Sequence, residues 1–177
     1  MKQKGFVLVV ALIFLALMTM LGISMFSGFS LDETLSGNYR EKNRSIDAAQ
    51  MALDVAQNWM TIPGNTYTGN WITGVNCDLA TVQPAVCSNA LANPGTLPWT
   101  SVSSASFAPA NMAVSTAGGL DTYAAKTSYH LQYVGNKDPY NALYRVTATA
   151  QGGNATAITV LQAVYQVHAT AAYLGGE

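Results

Sequence analysis

The chain has 177 residues, of which 50% are hydrophobic and only 10% charged, with a formal net charge of −1 and two cysteines. From residue 61 onward the charges are Lys126, Lys137 and Arg145 against Asp78, Asp121, Asp138 and Glu177, so that part is close to neutral. No basic patch is present to displace counterions from a phosphate backbone, which argues against a nucleic-acid partner.

Residues 6–29 form the first element. They are apolar, softened only by Gly22, Ser24, Ser27 and Gly28, and no charge lies between Lys4 and Asp32. About 24 helical residues rise about 36 Å, enough to cross a hydrocarbon core of about 30 Å. A helix satisfies its own backbone in lipid and is the expected form. Lys2 and Lys4 precede the run and Asp32 and Glu33 follow it. The positive-inside bias leaves the N-terminus in the cytoplasm and exports the rest. Three readings compete: an ordinary signal anchor, a cleaved secretory signal peptide, and a short basic leader cut before the apolar run. A secretory signal expects an apolar core of roughly 7–15 residues and then a small-residue cleavage site. The run here is longer and passes directly into further helical sequence, which disfavours that reading. Ser24 and Gly28 match small-xxx-small spacing, which allows close helix approach, and together with Gly22 they also suit a local softening.

Residues 30–60 continue as an amphipathic helix. Leu31, Leu35, Tyr39, Ile46, Ala49, Leu53, Ala56 and Met60 recur at three- and four-residue steps. This stripe is expected to pack on a sheet, with Asp32, Glu41, Arg44, Asp47, Asp54 and Gln57 facing solvent or neighbouring subunits. Pro63-Gly64 is the stop signal. Asp32-Glu33 is no catalytic carboxylate pair, because adjacent residues on a helix do not face each other.

Residues 61–127 are rich in Asn, Thr, Gly, Ser, Ala and Pro, and read as loops, turns and short strands. Trp71, Trp99 and Phe107 need burial and argue against disorder. Cys77 and Cys87 lie here; in an exported chain, an even pair separated by turn-rich sequence is most simply a disulfide. Closing such a loop contributes about 2–3 kcal/mol. A metal site would need more ligands than two cysteines and two distant histidines.

Residues 128–167 carry the β pattern. Tyr129, Leu131 and Tyr133 alternate with polar residues, 135–141 reads as a turn, and Tyr144, Val146, Ala148 and Ala150 alternate again. Gly152-Gly153-Asn154 signals a hairpin, with 155–167 as the return strand. The result is a three-stranded antiparallel meander, and 169–177 reads as a frayed tail. His130 and His168 are expected to be plain strand or surface residues. Asn136, Asp138 and Asn141 offer oxygen ligands without the spacing of a calcium loop, and turn chemistry is the default. Asn154-Ala155-Thr156 matches a glycosylation acceptor but sits in the hairpin. No phosphate loop, nucleophile–base pair or cofactor motif is present. The fold class is α+β, a long N-terminal helix packed on a C-terminal antiparallel meander with a loop-rich insert.

Two stretches resemble a known family. Lys4-Gly5-Phe6, followed by the apolar helix, resembles the processing site of type IV pilins and type II secretion pseudopilins. The resemblance implies that a prepilin peptidase cuts after Gly5, removing a leader of residues 1–5, and methylates Phe6. Loss of Lys2 and Lys4 would leave a net charge of −3. The stretch from Leu31 to Leu53 resembles the N-terminal signature of PilX-type minor pilins, through Glu33, Gly37-Asn38, Arg40, Asn43, Ala48-Ala49 and Ala52-Leu53, with Gln50 in place of the commoner Glu. The last strand is similar to the ending of PilX-like chains. Major pilins carry Glu at the mature fifth residue; this chain has Val10. An intramembrane carboxylate costs several kcal/mol unless paired, so a subunit without it makes no such pair. That suits a rare subunit, above all one at a filament tip.

The resemblance implies a pilin-like fold and a minor pilin that primes type IV pilus assembly at or near the tip. It implies residence in the bacterial inner membrane with the head (residues 61–177) periplasmic, followed by passage into the pilus, with Val10, Gly22, Ser24 and Gly28 in the packed helix. The implied partners are other minor pilins, the major pilin, a tip adhesin, prepilin peptidase and the inner-membrane assembly platform; adhesion and twitching motility are the associated processes. The alternatives are a minor pseudopilin of a type II secretion system and a signal-anchored periplasmic binding domain or enzyme. Genomic neighbours or co-purification would separate pilus from secretion system.

Overall fold

The computed structural model describes residues 4–79, 82–100, 103–119 and 121–169, with residues 4, 5 and 27–30 described by backbone alone. The chain divides into two compact units, residues 1–40 and 41–177. One helix, α1 (Lys4–Thr61), contributes to both. Five strands follow: β1 (Val86–Cys87), β2 (Ala105–Phe107), β3 (Thr127–Asp138), β4 (Asn141–Gln151) and β5 (Ile158–His168).

The first unit is helical through residues 22–28, so the glycines there do not interrupt the backbone. Its most apolar 18-residue window has a mean hydropathy of 2.9, with none of it buried, and it is long and apolar enough to cross a membrane. The exposed side chains run all around the helix: Phe6, Val7, Leu8, Val9, Val10, Leu12, Ile13, Phe14 and Leu15 and on to Phe26. A helix that is apolar on every side needs an apolar surrounding that its own chain does not supply.

The second unit, residues 41–177, carries the α+β fold expected from sequence. β3, β4 and β5 form the antiparallel meander, in the order β3-β4-β5. The β4–β5 register runs without a break from Asn141↔His168 to Gln151↔Ile158. The predicted insert adds two short strands to the outer edge of β3. β1 pairs parallel to Leu131 and Gln132, and β2 antiparallel to Thr127, Ser128 and Tyr129. The sheet is therefore mixed, and one of its edges is covered by the insert.

Two turn assignments change. The predicted turn at 135–141 tightens: β3 runs on to Asp138, with register shifts after Tyr133 and Asn136, and pairs Asp138 with Asn141. The return strand begins at Ile158 rather than 155, because Asn154 closes a turn first. Its Oδ1 accepts from the Thr156 N–H at 3.0 Å, and its carbonyl from the Ala157 N–H at 3.1 Å. Asn154 thus stands in an Asx-type turn. In the predicted tail, residues 170–177 lie outside the described residues, as do residues 1–3 of the predicted leader.

The core sits between residues 45–60 of α1 and one face of the meander. The buried helical row is Ser45, Ala48, Ala49, Ala52, Ala56 and Met60, and the facing sheet residues are Tyr129, Leu131, Ala142, Tyr144, Val146, Ala148 and Ala150. Alanines let the helix approach closely, and the volume is filled from the sheet side by Leu131 and Tyr144. The stripe predicted from sequence is corrected in two ways. Leu31, Leu35 and Tyr39 stay exposed, and Ile46 and Leu53 are only half-buried, while Ala48 and Ala52 are fully buried. Periodicity marks an apolar face without saying what covers it.

Pro63-Gly64 does end the helix: Gly64 adopts φ 90°, which a side chain disfavours. The open carbonyls of the last turn are capped by side chains from beyond it. Asn65 Nδ2 donates to Trp59 O at 2.8 Å and Thr66 Oγ1 to Met60 O at 3.2 Å.

Candidate assembly surface and its anchor

The helix reaches the head through a polar node at Glu41 and Arg44. Glu41 Oε2 accepts from the Gly153 N–H, and Oε1 pairs with Arg44 Nη1 at 3.0 Å. Arg44 in turn donates from Nη2 to Thr122 O at 2.8 Å and from Nη1 to Gly119 O at 3.3 Å, with its guanidinium 4.8 Å from the Tyr123 ring centroid. Next to it, Ser45 Oγ and Thr159 Oγ1 share a hydrogen bond of 2.6 Å, and Lys42 Nζ donates to Ile158 O at 2.6 Å. This corrects the placement of Glu41 and Arg44 on a free charged face: they join the helix to Gly119, Thr122 and Tyr123 and to the β4–β5 hairpin. Charge-assisted, part-buried hydrogen bonds of this kind are the stronger ones. An i,i+3 acid–base pair in so charge-poor a chain was the available signal. Gly152 belongs to the same node. A Cβ there would lie 2.6 Å from Glu41 O, so the glycine serves close approach as well as the turn.

The signature residues divide between the two units. Glu33, Gly37, Asn38 and Arg40 are exposed in the first unit, and a Cβ on Gly37 would meet nothing within 4 Å. Asn43 is half-buried, and Ala48 and Ala49 are fully buried against the sheet. Phe6, Val10 and Ser24 are exposed and Gly22 is half-buried, all on the apolar helix; Gly5 and Gly28 are among the residues described by backbone only.

The insert is held by three kinds of bond. Cys77 and Cys87 form a disulfide, with Cα atoms 5.4 Å apart. His130 lies on β3, in keeping with the strand expected for it, but it is not a surface residue. It is fully buried, with Nδ1 against Ser103 O and Nε2 3.1 Å from Asn89 O, so it ties two insert loops to β3. Tyr144 reaches across the core to donate to Thr66 O at 2.9 Å, with Ile72 O at 3.1 Å. Burial, with Tyr133 nearby, pushes the Tyr144 phenol far above its ordinary range. His168 is exposed and meets Asn141 Oδ1 at 3.0 Å. Asp138 accepts from Asn141 Nδ2 at 2.9 Å and from Tyr140 N at 2.8 Å, and these bonds hold its carboxyl below the usual range. Of the other oxygens considered for a cation, Asn136 Oδ1 accepts from the Tyr133 hydroxyl at 2.9 Å and Asn141 Oδ1 from Gln166 Nε2 on β5 at 2.9 Å. No group of three or more His, Cys, Asp or Glu that could hold a metal occurs among the described residues.

Neither the curated proteins nor the solved structures give a match to this chain. Two family models do. The one for the PilX N-terminal region matches residues 4–54, the apolar helix and the whole signature. The one for the type IV pilus assembly protein PilX C-terminal region matches residues 49–167, which covers the packed part of α1, the insert and the meander. With 4–167 spanned by the two, the chain belongs to the PilX family of type IV pilus assembly proteins, whose members are pilin-type structural components.

Proposed function

We propose that the chain is a minor pilin that helps prime type IV pilus assembly and sits at or near the pilus tip. The observation that carries the reading is the exposed apolar helix behind Lys4-Gly5-Phe6 in a PilX-family chain, with Val10 in place of a carboxylate. Prepilin peptidase cuts after Gly5, and Phe6 becomes the methylated N-terminus. The helix is then stored in the inner membrane, with the head in the periplasm.

Burying about 20 apolar side chains is worth on the order of 30–60 kcal/mol, so the helix does not leave lipid unaided. Extraction needs the assembly platform, and the helix must pass directly into the apolar core formed by the helices of the major pilin and other minor pilins. Ser24 and Gly28 allow close approach there. Exposed Glu33, Asn38 and Arg40 supply polar contacts to neighbours just beyond the apolar run. Val10 supports the tip position: a terminal subunit has no neighbour above it whose amine needs neutralising. A tip adhesin is the remaining partner, seated on the assembled heads.

Intact mass and N-terminal sequencing of the protein from native membranes test the first step. The expected chain begins at Phe6 with one added methyl. A chain beginning at Met1 in a strain with working prepilin peptidase would overturn the pilin reading. Immunogold labelling of sheared pili then tests position: label at filament ends is expected, and label along the whole shaft would remove the tip assignment.

A further inference from the structure

The two faces of the meander are covered differently. Tyr144, Val146, Ala148 and Ala150 of β4 turn toward α1. Successive residues of a strand point to opposite faces, so Leu143, Arg145, Thr147 and Thr149 look the other way. The register sets His130 and Gln162 beside Thr147, and Gln132 and Val164 beside Arg145. The insert covers the first part of this outer face. His130 is held between Ser103 O and Asn89 O, and Thr147 and Thr149 are buried with it. Past Arg145 the cover ends: Val164 is 55% exposed, Val134 44%, and Gln162 and Gln166 are exposed too.

Arg145 stands at that boundary without a counter-ion. It is half-buried, whereas Lys42, Lys126 and Lys137 are exposed. No carboxylate among the described residues pairs with it. Its Nε is shut off from solvent and has no acceptor, and Nη1 reaches Gln132 Oε1 only at 3.4 Å. That distance lies beyond the usual range of an N–H···O bond. A part-buried guanidinium with unmet donors is costly, and such a group calls for an explanation. The same face receives a second cation: Lys137 Nζ lies on Gln166 Oε1 at 3.1 Å. Asp138, next to it in the chain, does not neutralise Arg145, because its oxygens accept from Tyr140 N and Asn141 Nδ2 in the β3–β4 turn.

We infer that the uncovered part of the outer sheet face is a protein-docking surface, and that Arg145 takes an Asp or Glu carboxylate of the partner. Nη2 has no partner among the described residues. With a small rotation of the side chain, Nη2 and Nε present a fork that matches the two oxygens of a carboxylate. Such a pair meets the unmet donors and the missing counter-charge together.

The surroundings select a protein as the source of that carboxylate. Val164 and Leu143 flank Arg145 on the open side and offer apolar cover that excludes water from the pair, which strengthens it. An arginine set among apolar side chains on an open sheet face is the composition of an interface centre, whereas a free anion needs donors that enclose it. The face lies across the sheet from residues 45–60 of α1, so a partner docks there without moving or reversing the helix. The inference does not rest on the position of the chain in a filament.

Photocross-linking of the full chain in its native cells tests it. The probe is p-benzoylphenylalanine in place of Val164, with adducts mapped to the peptide by mass spectrometry. The expected adduct is to a partner segment that holds an Asp or Glu. Arg145→Gln should lower its yield about tenfold, and Arg145→Glu at least as far. Changing the mapped partner acid to Arg should restore the adduct with the Arg145→Glu chain and with no other. Arg145→Met separates docking from folding: it removes the unmet donors, so the thermal midpoint of the head should hold or rise while the adduct is lost. The same probe in place of Gln132, on the other side of Arg145, keeps the test decisive if the chain labelled at 164 fails to fold. Absence of a partner adduct from both positions would overturn the inference. So would a yield indifferent to Arg145, a loss that the reversed charge pair does not restore, or an adduct to Glu177 of the same chain, which lies outside the described residues.

Discussion

Residues 6–26 and residues 45–60 belong to one helix and follow opposite rules. The first stretch displays large side chains, Phe6 at 75% exposure and its neighbours similarly open. The second buries alanines and draws its bulk from the sheet. Helix propensity favours both, so it does not separate them. What separates them is the partner. Large apolar side chains without internal contacts await lipid or other helices, whereas small ones have already been matched to Leu131 and Tyr144. The exposed stretch finds no cover among the described residues of its own chain, and the buried one does.

That contrast can be broken by substitution, with head stability measured by denaturant titration of the full chain in detergent. The largest loss is expected for Leu131→Ala, about 2–5 kcal/mol, because the helical alanines opposite cannot refill the cavity. Replacing Cys77 and Cys87 together by Ser should cost about 2–3 kcal/mol and loosen the insert, leaving residues 6–40 unaffected. Tyr144→Phe removes a buried hydroxyl donor, while Thr66 O keeps the Ile72 N–H at 2.9 Å, and should cost about 0.5–1.5 kcal/mol. The smallest effect is expected for Leu15→Ala, within about 0.5 kcal/mol for the head, although Leu15 is as apolar as Leu131. A head destabilised by Leu15→Ala as much as by Leu131→Ala would mean that the two stretches are not independent.

Legibility from sequence followed the same division. The apolar helix needed only composition and the absence of charge from Lys4 to Asp32. The meander announced itself through alternation at Tyr129, Leu131 and Tyr133 and through Gly152-Gly153-Asn154. The cysteine pair followed from compartment and parity. The Glu41–Arg44 node was hidden, because its acceptors and donors at residues 119, 122 and 153 are distant in the chain and are backbone groups, which leave no mark on side-chain pattern. His130 was hidden for the same reason: both of its partners are carbonyls of irregular loops. β1 and β2, at two and three residues, are too short to show a period.

The sequence by itself determined the order of elements, the membrane-length helix, the helix stop, the meander and the family, because each depends on local periodicity, composition or a contiguous motif. Tertiary structure alone decided which helical face is buried, where that burial begins, and how the insert seals one edge of the sheet while no strand among the described residues pairs with the other. Those outcomes depend on which distant backbone groups find each other, and hydrogen bonds between main-chain atoms are written into no particular residue.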